Sequence, residues 1–373
     1  MKIGIDGRMY GKSQSGIGTY IQELTNRIFL LDQANDYYLF LLEPTFSSYQ
    51  VPHDNIHKIK VTSRWYGYPE QTKFLYDLYQ HKLDLMHFPH FNAPILYNRR
   101  RLTTIHDIIP KFFPGHKLKS WLRKKAYDLT IKSSLAKAAK IITISHHTEL
   151  DLINYYQVSP QKIEVIYLGV GDHFKIILNY DKIKELKDRY NISKPFIFFI
   201  SVWRNHKNFE GLINAFAILK NLYHLDYQLV LGGMEDPHYP KIRQAIEQSP
   251  FKKDIIVPGF ISDEELPLFY NAAKLFAIPS FYEGFGLIGL EAMACNIPVV
   301  SSDAASLPEI LADAALYFDP HNPEEMAATI NTVANDPHLQ EQLKIKGLNL
   351  VKKYSWQETA QKTLSLYQQI LSS

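Results

Sequence analysis

Short apolar runs alternate with longer segments whose apolar residues recur every three or four positions, and the alternation runs the length of the chain. Runs at Ile3–Asp6, Tyr38–Leu42, Ile59–Val61, Leu85–Phe88, Leu102–Ile105, Ile141–Ile144 and Ile163–Ile166 have the length and β-branched content of buried strands. Between them, Ile17, Ile21, Leu24, Ile28 and Leu31 stand at helical spacing, and further helical segments fall near 70–82, 117–138 and 147–156. Ser145 stands where it would cap the last of these. A polar stretch from Asp172 to Lys194 follows, and then the same grammar restarts. Strands are predicted at Phe196–Ser201, Leu229–Gly233, Leu275–Ile278 and Val299–Ser301. Helices are predicted from Phe209 to Leu219, after a cap at Ser262–Glu265, from Leu307, and over Trp356–Leu371 with Leu364, Tyr367 and Ile370 on one side. Strands alternating with helices predict an α/β chain with parallel sheets, in two domains joined near residues 170–192.

The 373 residues, 46% of them hydrophobic, suffice for two cores. The net charge of +3 hides an asymmetry: residues 1–170 hold 22 Lys and Arg against 14 Asp and Glu, and the remainder is acidic. Two surfaces with different partners are expected. Much of the excess lies in residues 99–140, with twelve bases against only Asp107 and Asp128. Trp121, Leu122, Phe112 and Phe113 are interleaved with that charge, which fits a solvated helix face, an anionic membrane surface or nucleic acid. The single cysteine, Cys295, excludes an internal disulfide, fits a reducing compartment and lies in an apolar run that points to packing. No apolar run is long enough to span a bilayer, and the first residues are too short a run for a signal peptide.

The chemistry gathers where predicted strands end. After Leu275–Ile278 the chain runs Ser280-Phe-Tyr-Glu283-Gly284-Phe285-Gly286-Leu287 into a helix-forming stretch with Glu291. A glycine loop between a strand's carboxyl end and a helix start offers backbone amides to an anion. Glutamates beside an anion are better suited to hydroxyls than to phosphate. Amides for a phosphate and two carboxylates for hydroxyls describe a nucleotide-sugar site. Arg204 and Lys207 follow the strand at Phe196, where two cations can neutralise a diphosphate. His106-Asp107 ends the strand at Ile105, and His87 and His90 end the one before it, with no third ligand evident for a metal. A Gly- and Ser-rich stretch after Ile3–Asp6 (Gly7, Gly11, Ser13, Ser15, Gly16, Gly18) is either a turn or a close approach of backbone to phosphate. Ile21 stands where a dinucleotide fingerprint needs its third small residue, which disfavours a dehydrogenase.

The run from Ser280 through Glu283 and Glu291 to Ala-Met-Ala-Cys-Asn-Ile-Pro-Val-Val resembles the E-x7-E signature of the retaining glycosyltransferases of family four. Lys207-Asn208 fits that pattern well; Arg204 lies close to the lysine, Ser201 replaces a common glycine and Ile288 a common proline. The resemblance is strong over 195–312 and weaker before it. It implies an α/β GT-B fold, two Rossmann-like domains facing across a cleft: 1–170 on the acceptor side, 171–355 for the nucleotide sugar, and a helix over 356–373 crossing back. It implies that Glu283 and His106 contact the donor sugar, with Asp107 on the acceptor or on the histidine. Glu291 would hold the ribose; Gly16, Gly18, Gly284, Phe285, Gly286 and Leu287 would face the diphosphate, and Gly259 and Phe260 the base. Gly-Ile-Gly-x-Tyr and His-Asp-Ile-Ile-Pro further resemble mannosyltransferase-like members that build bacterial surface polysaccharide. The expected reaction moves a hexose from a nucleotide diphosphate sugar, GDP-mannose first, to a glycan or lipid-linked acceptor with retention. No Asp-x-Asp occurs, so neither metal nor further cofactor is expected. A cytoplasmic protein with peripheral contact to an anionic inner membrane face is expected, without nucleic-acid binding. Competing readings are a sugar phosphorylase or sugar-nucleotide epimerase of the same fold, and a non-enzymatic nucleic-acid-binding protein resting on residues 99–140.

Overall fold

The computed structural model describes residues 1–11, 15–118 and 120–372; Ser13 and Lys119 lie outside the described residues, as do the side chains of Ser15 and Lys117. The chain divides into two compact units, one of residues 1–110, 117–169 and 355–373, the other of 111–116 and 170–354.

The first unit holds seven parallel strands: β1 Lys2–Asp6, β2 Asp36–Leu41, β3 Ile56–Lys60, β4 Leu85–Phe88, β5 Arg101–Ile105, β6 Lys140–Thr143 and β7 Ile163–Val165. Their order, β3-β2-β1-β4-β5-β6-β7, reverses between β1 and β4. The inner strands β1, β4, β5 and β6 are buried on both faces, whereas the edge strands β3 and β7 are only partly covered. Ile105, Ile108, Ile131, Leu135, Ile141 and Leu152 form one core; Phe40, Phe74, Leu78, Met86, Phe88 and Tyr97 form another. The helix Trp356–Ser372 packs in this unit on Trp356, Leu366, Tyr367 and Ile370; Leu364 is only half-buried, so the stripe runs through Leu366 instead. Thr359 donates to the Tyr167 carbonyl at 2.7 Å. Gly169 is indispensable there, because a Cβ would stand 2.0 Å from the Trp356 nitrogen.

The second unit holds six parallel strands: β8 Phe196–Ile200, β9 Gln228–Gly232, β10 Ile255–Gly259, β11 Leu275–Ile278, β12 Val299–Ser302 and β13 Ala315–Phe318. Their order, β10-β9-β8-β11-β12-β13, reverses between β8 and β11. The strands predicted from apolar runs are all present with small shifts at their ends. The polar stretch after Asp172 contains a helix, Tyr180–Arg189, that buries Leu186 and is capped by Asn179. Strands β10 and β13 and the helices Pro240–Gln248, Pro323–Asn335 and Pro337–Val351 were not predicted, Ile256–Phe260 being expected as a loop; these helices bury narrow stripes in otherwise polar sequence. Ser262 bonds Glu265, but the helix proper starts at Leu266 without a side-chain cap. Ser145 does cap its helix, accepting from the Thr148 amide at 3.1 Å.

Candidate active site

In open parallel sheets, ligands bind beyond the strands' carboxyl ends where the strand order reverses, because the loops there part to opposite faces. In the second unit that point lies between β8 and β11, and the loops leaving these strands carry Lys207 and Glu283. The Lys207 ammonium donates to Glu283 Oε1 at 2.6 Å and to Oε2 at 2.8 Å. Ser280 donates to Oε1 at 2.8 Å, and Ser306 donates to the Glu283 backbone carbonyl at 2.9 Å. The carboxylate is therefore fixed in position and held by an exchangeable partner. Asn208, in left-handed backbone at φ 53°, caps the helix Phe209–Leu222 by accepting from the Gly211 amide. Its amide nitrogen donates to the Pro279 and Pro320 carbonyls at 3.0 and 2.8 Å, so one buried side chain ties three strand-end loops together.

Gly286 (φ 92°) precedes the helix Leu287–Ala294, and a Cβ there would stand 2.6 Å from Leu307. Gly284, Phe285 and Gly286 are buried, and Phe285 packs edge-on against Tyr354. Glu291 lies within this helix and accepts from the Tyr270 hydroxyl at 3.1 Å; burial and that carboxylate push the phenol's pKa up. Arg204 is exposed, and its guanidinium makes no hydrogen bond or ion pair with any described residue. On β10, Gly259 (φ 79°) has open space around it and Phe260 is 71% exposed, an aromatic face without cover. Ser201 stands where glycine was expected, and its carbonyl crowds Gly233, whose added Cβ would lie 1.9 Å from that oxygen; the Gly233 amide donates to the Gly259 carbonyl at 2.9 Å.

In the first unit, His106 is buried at the end of β5. Its Nε2 donates to the Pro89 carbonyl at 2.9 Å, which leaves Nδ1 as an acceptor. Burial pushes its pKa down to about 4, so the ring is neutral at pH 7. Tyr20 meets it edge-on at 4.9 Å. Asp107 accepts from the Ile109 amide and does not bond His106. His87 does not line a strand-end surface: it is fully buried between the Tyr367 hydroxyl (2.6 Å) and Thr104 (2.8 Å), pinning the terminal helix to β4. His90 bonds Asn92. Gly16 and Gly18 lie in the first turn of the helix Ser15–Leu31 rather than in a loop, Gly16 exposed and Gly18 buried.

Family models match in two blocks, Glycosyltransferase Family 4 over residues 15–173 and Glycosyl transferases group 1 over residues 182–349. The chain is a family-four-type glycosyltransferase. It is 27% identical over 372 residues to O-antigen chain mannosyltransferase B of Escherichia coli, covering 95% of this chain and 96% of that one. It is 29% identical over 271 residues to the serotype-specific mannosyltransferase WbdA of the same species, covering 72% of this chain and 33% of the longer relative. Sucrose-phosphate synthase from Thermosynechococcus elongatus has the same fold, with a TM-score of 0.79 at 20% identity over 100% of this chain and 99% of the other. The two parallel sheets are those of the GT-B fold.

Sequence reasoning passed over one group in the enzyme. Where the first sheet reverses, Arg8 donates to Asp6 from Nε at 2.8 Å and from Nη2 at 2.7 Å, and to Glu70 at 2.6 Å. Asn92 and the Tyr66 amide complete Glu70. Asp6, Arg8 and Asn92 line a small cavity together with Met9, Trp65 and His90. Burial raises the Glu70 pKa against the pull of Arg8. The only advance signal was Asp6 standing at the end of the first predicted strand.

Proposed function

We propose that the enzyme transfers a hexose, mannose first, from a nucleotide diphosphate sugar to a glycan or lipid-linked acceptor in surface polysaccharide assembly, with retention at the anomeric carbon. The observation that carries this is the Lys207–Glu283 pair at the reversal point of the second sheet, with Arg204 exposed on the same loop as Lys207. A donor exchanges partners there. Its diphosphate takes Lys207 and Arg204, and the released Glu283 carboxylate, still held by Ser280, accepts from the sugar's hydroxyls. Glu291 faces the ribose and Phe260 the base. The anomeric C–O bond to the diphosphate breaks, the acceptor oxygen bonds to the same face, and the leaving phosphate takes the acceptor's proton. Lysine, arginine and backbone amides stabilise the departing charge without a metal ion. Neutral His106 is suited to accept from a hydroxyl at Nδ1. Mannose rests on the O-antigen mannosyltransferase relatives, and GDP-mannose is the donor we assign first. We further propose that the helix Trp121–Lys137 holds the enzyme on an anionic membrane, where a lipid-linked acceptor resides.

The test is a thermal-shift panel of nucleotide sugars followed by transfer assays in EDTA. A donor that binds the folded state raises the melting temperature, by about 2.7 kcal/mol of stabilisation at a hundredfold excess over its Kd. GDP-mannose should give the largest shift, transfer should persist in EDTA, and Glu283→Gln should keep its fold while losing most transfer. Wild-type turnover in Glu283→Gln, or transfer abolished by EDTA and restored by magnesium, would overturn the mechanism.

A further inference from the structure

The segment Lys111–His116 belongs to the second unit, although its sequence neighbours on both sides belong to the first. It lies against the loops of the candidate site. Phe112 stands 5.5 Å from Tyr282, and Phe113 stands 5.8 Å from His206 and stacks on Phe281 at 6.3 Å. Those three partners stand within two positions of Lys207 or Glu283 in the sequence. Apolar packing holds its middle. Its end is held differently: His116 stacks on His238 with centroids 3.5 Å apart and planes 7° apart, and His238 Nδ1 lies 2.8 Å from Asp236 Oδ1. One donor atom from each of His116, Asp236 and His238 falls within 4.8 Å of the others.

We infer that His116, Asp236 and His238 bind one divalent transition ion of the zinc class, which fastens Lys111–His116 to the loop after β9. Two imidazoles and one carboxylate form the mixed nitrogen and oxygen set that zinc, nickel and cobalt accept, and three protein ligands leave a position for water. Magnesium and calcium prefer oxygen alone and are excluded by the same set. The loop is shaped in advance, because the Asp236 carboxylate also accepts from the His238 amide at 3.0 Å and the Asp236 carbonyl accepts from the Tyr239 amide. Parallel stacked rings aim their lone pairs side by side, so binding turns one imidazole out of the stack; His116 is half-buried and His238 exposed, which gives it room. The ion takes no part in the transfer chemistry, and the inference stands apart from the donor assignment.

The experiment uses the full chain, stripped with EDTA and dialysed, titrated with Zn²⁺ alone by calorimetry and with Co²⁺ by visible absorption, with no donor present. One equivalent should bind with a Kd of about 10 μM or tighter. His116→Ala and His238→Ala should each weaken it at least about tenfold, while exposed His224→Ala leaves it unchanged. Magnesium should give no heat. Circular dichroism of each metal-free variant separates lost ligands from lost fold, and His238→Gln provides a variant of similar size. Failure to bind one equivalent by 100 μM, or binding that survives both histidine replacements in folded protein, overturns the inference and leaves the transferase reading untouched.

Discussion

Where the first sheet reverses, a guanidinium is shared by two carboxylates and sealed; where the second reverses, an ammonium faces one carboxylate and is left within reach of solvent. Side-chain exposure is 1% for Arg8 and 2% for Glu70, against 12% and 10% for Lys207 and Glu283. Arg8 spends its planar fork on Asp6, Glu70 and the Ser63 carbonyl, and lies over the Phe74 ring at 3.8 Å. Such a cation cannot change partners without stranding two buried acids. Lysine presents a compact charge on a flexible stem and can be re-aimed at an incoming phosphate. Equivalent places in two similar sheets are thus built differently, one pair sealed and the other left open to a change of partner.

The strongest way to break that comparison is to remove the two cations in turn. Arg8→Ala should cost about 3–5 kcal/mol in chemical denaturation, because Asp6 and Glu70 remain buried without a partner. Lys207→Ala should cost clearly less stability yet lower transfer by about 10²-fold or more. A stable Arg8→Ala, or a Lys207→Ala that unfolds rather than slows, would show that both pairs do the same work.

The two pairs also differ in how far they could be foreseen. Glu283 was legible because its surroundings are local: strand, glycine turn and helix follow one another within about fifteen residues. The Arg8 network was not, because Glu70 reaches Arg8 across 62 positions and sits in a single π-helical turn, Glu70–Phe74, that no periodicity announces. Sequence neighbours misled in another place. Phe112 and Phe113 were grouped with the basic strip as membrane anchors, yet they belong to the second unit and pack there against Tyr282, Phe281 and His206. Arg101 was counted in the same strip but is wholly buried, donating to the Ser133 carbonyl. Strand positions were readable because burial on both faces leaves a continuous apolar signal, whereas half-polar helices such as Pro240–Gln248 leave almost none.

Acid should separate the units next. Burial pushes the pKa of His87 and His90 down to about 3 and of His106 down to about 4 in the first unit; in the second, His206 is pushed down to about 3. Between the unfolded value near 6.5 and these folded values, the unfolded chain binds protons that the native state refuses. Stability is therefore full above about pH 6.5 and falls as pH drops, by up to about 1.4 kcal/mol per pH unit for each histidine. His87, His90 and His106 together load the first unit more heavily than His206 loads the second, so the first unit should melt first at pH 5. Calorimetry at pH 5 and 7, with hydrogen exchange to assign the transitions, checks this; a second unit that melts first at pH 5 defeats it.

The smallest expected effect concerns surface rather than core, and it rests on the difference in charge between the halves of the chain. Of the twelve bases over 99–140, Arg101 is buried, Lys137 is committed to the Ile95 carbonyl and Asn98, and Lys140 to the Gln161 carbonyl. What stands out is the first half of the helix Trp121–Lys137, where Trp121 through Ala126 are all exposed and nothing before Ile131 is buried. Trp121 and Leu122 are each 61% exposed, with the Lys125 ammonium 4.6 Å over the indole. An aromatic and a leucine beside three cations match an anionic interface, each cation contributing about 1 kcal/mol at low salt. Replacing Arg123, Lys124 and Lys125 together with Ser should weaken binding to vesicles containing phosphatidylglycerol by roughly 10²-fold, and salt should do the same to the unaltered protein. Trp121→Ser should remove the part that salt leaves. Because Phe112 and Phe113 belong to the other unit's packing, replacing them should leave vesicle binding as it was. Should the unaltered chain pass anionic vesicles by in a low-salt sedimentation assay, this helix face is merely solvated, and a soluble glycan becomes the acceptor to test first.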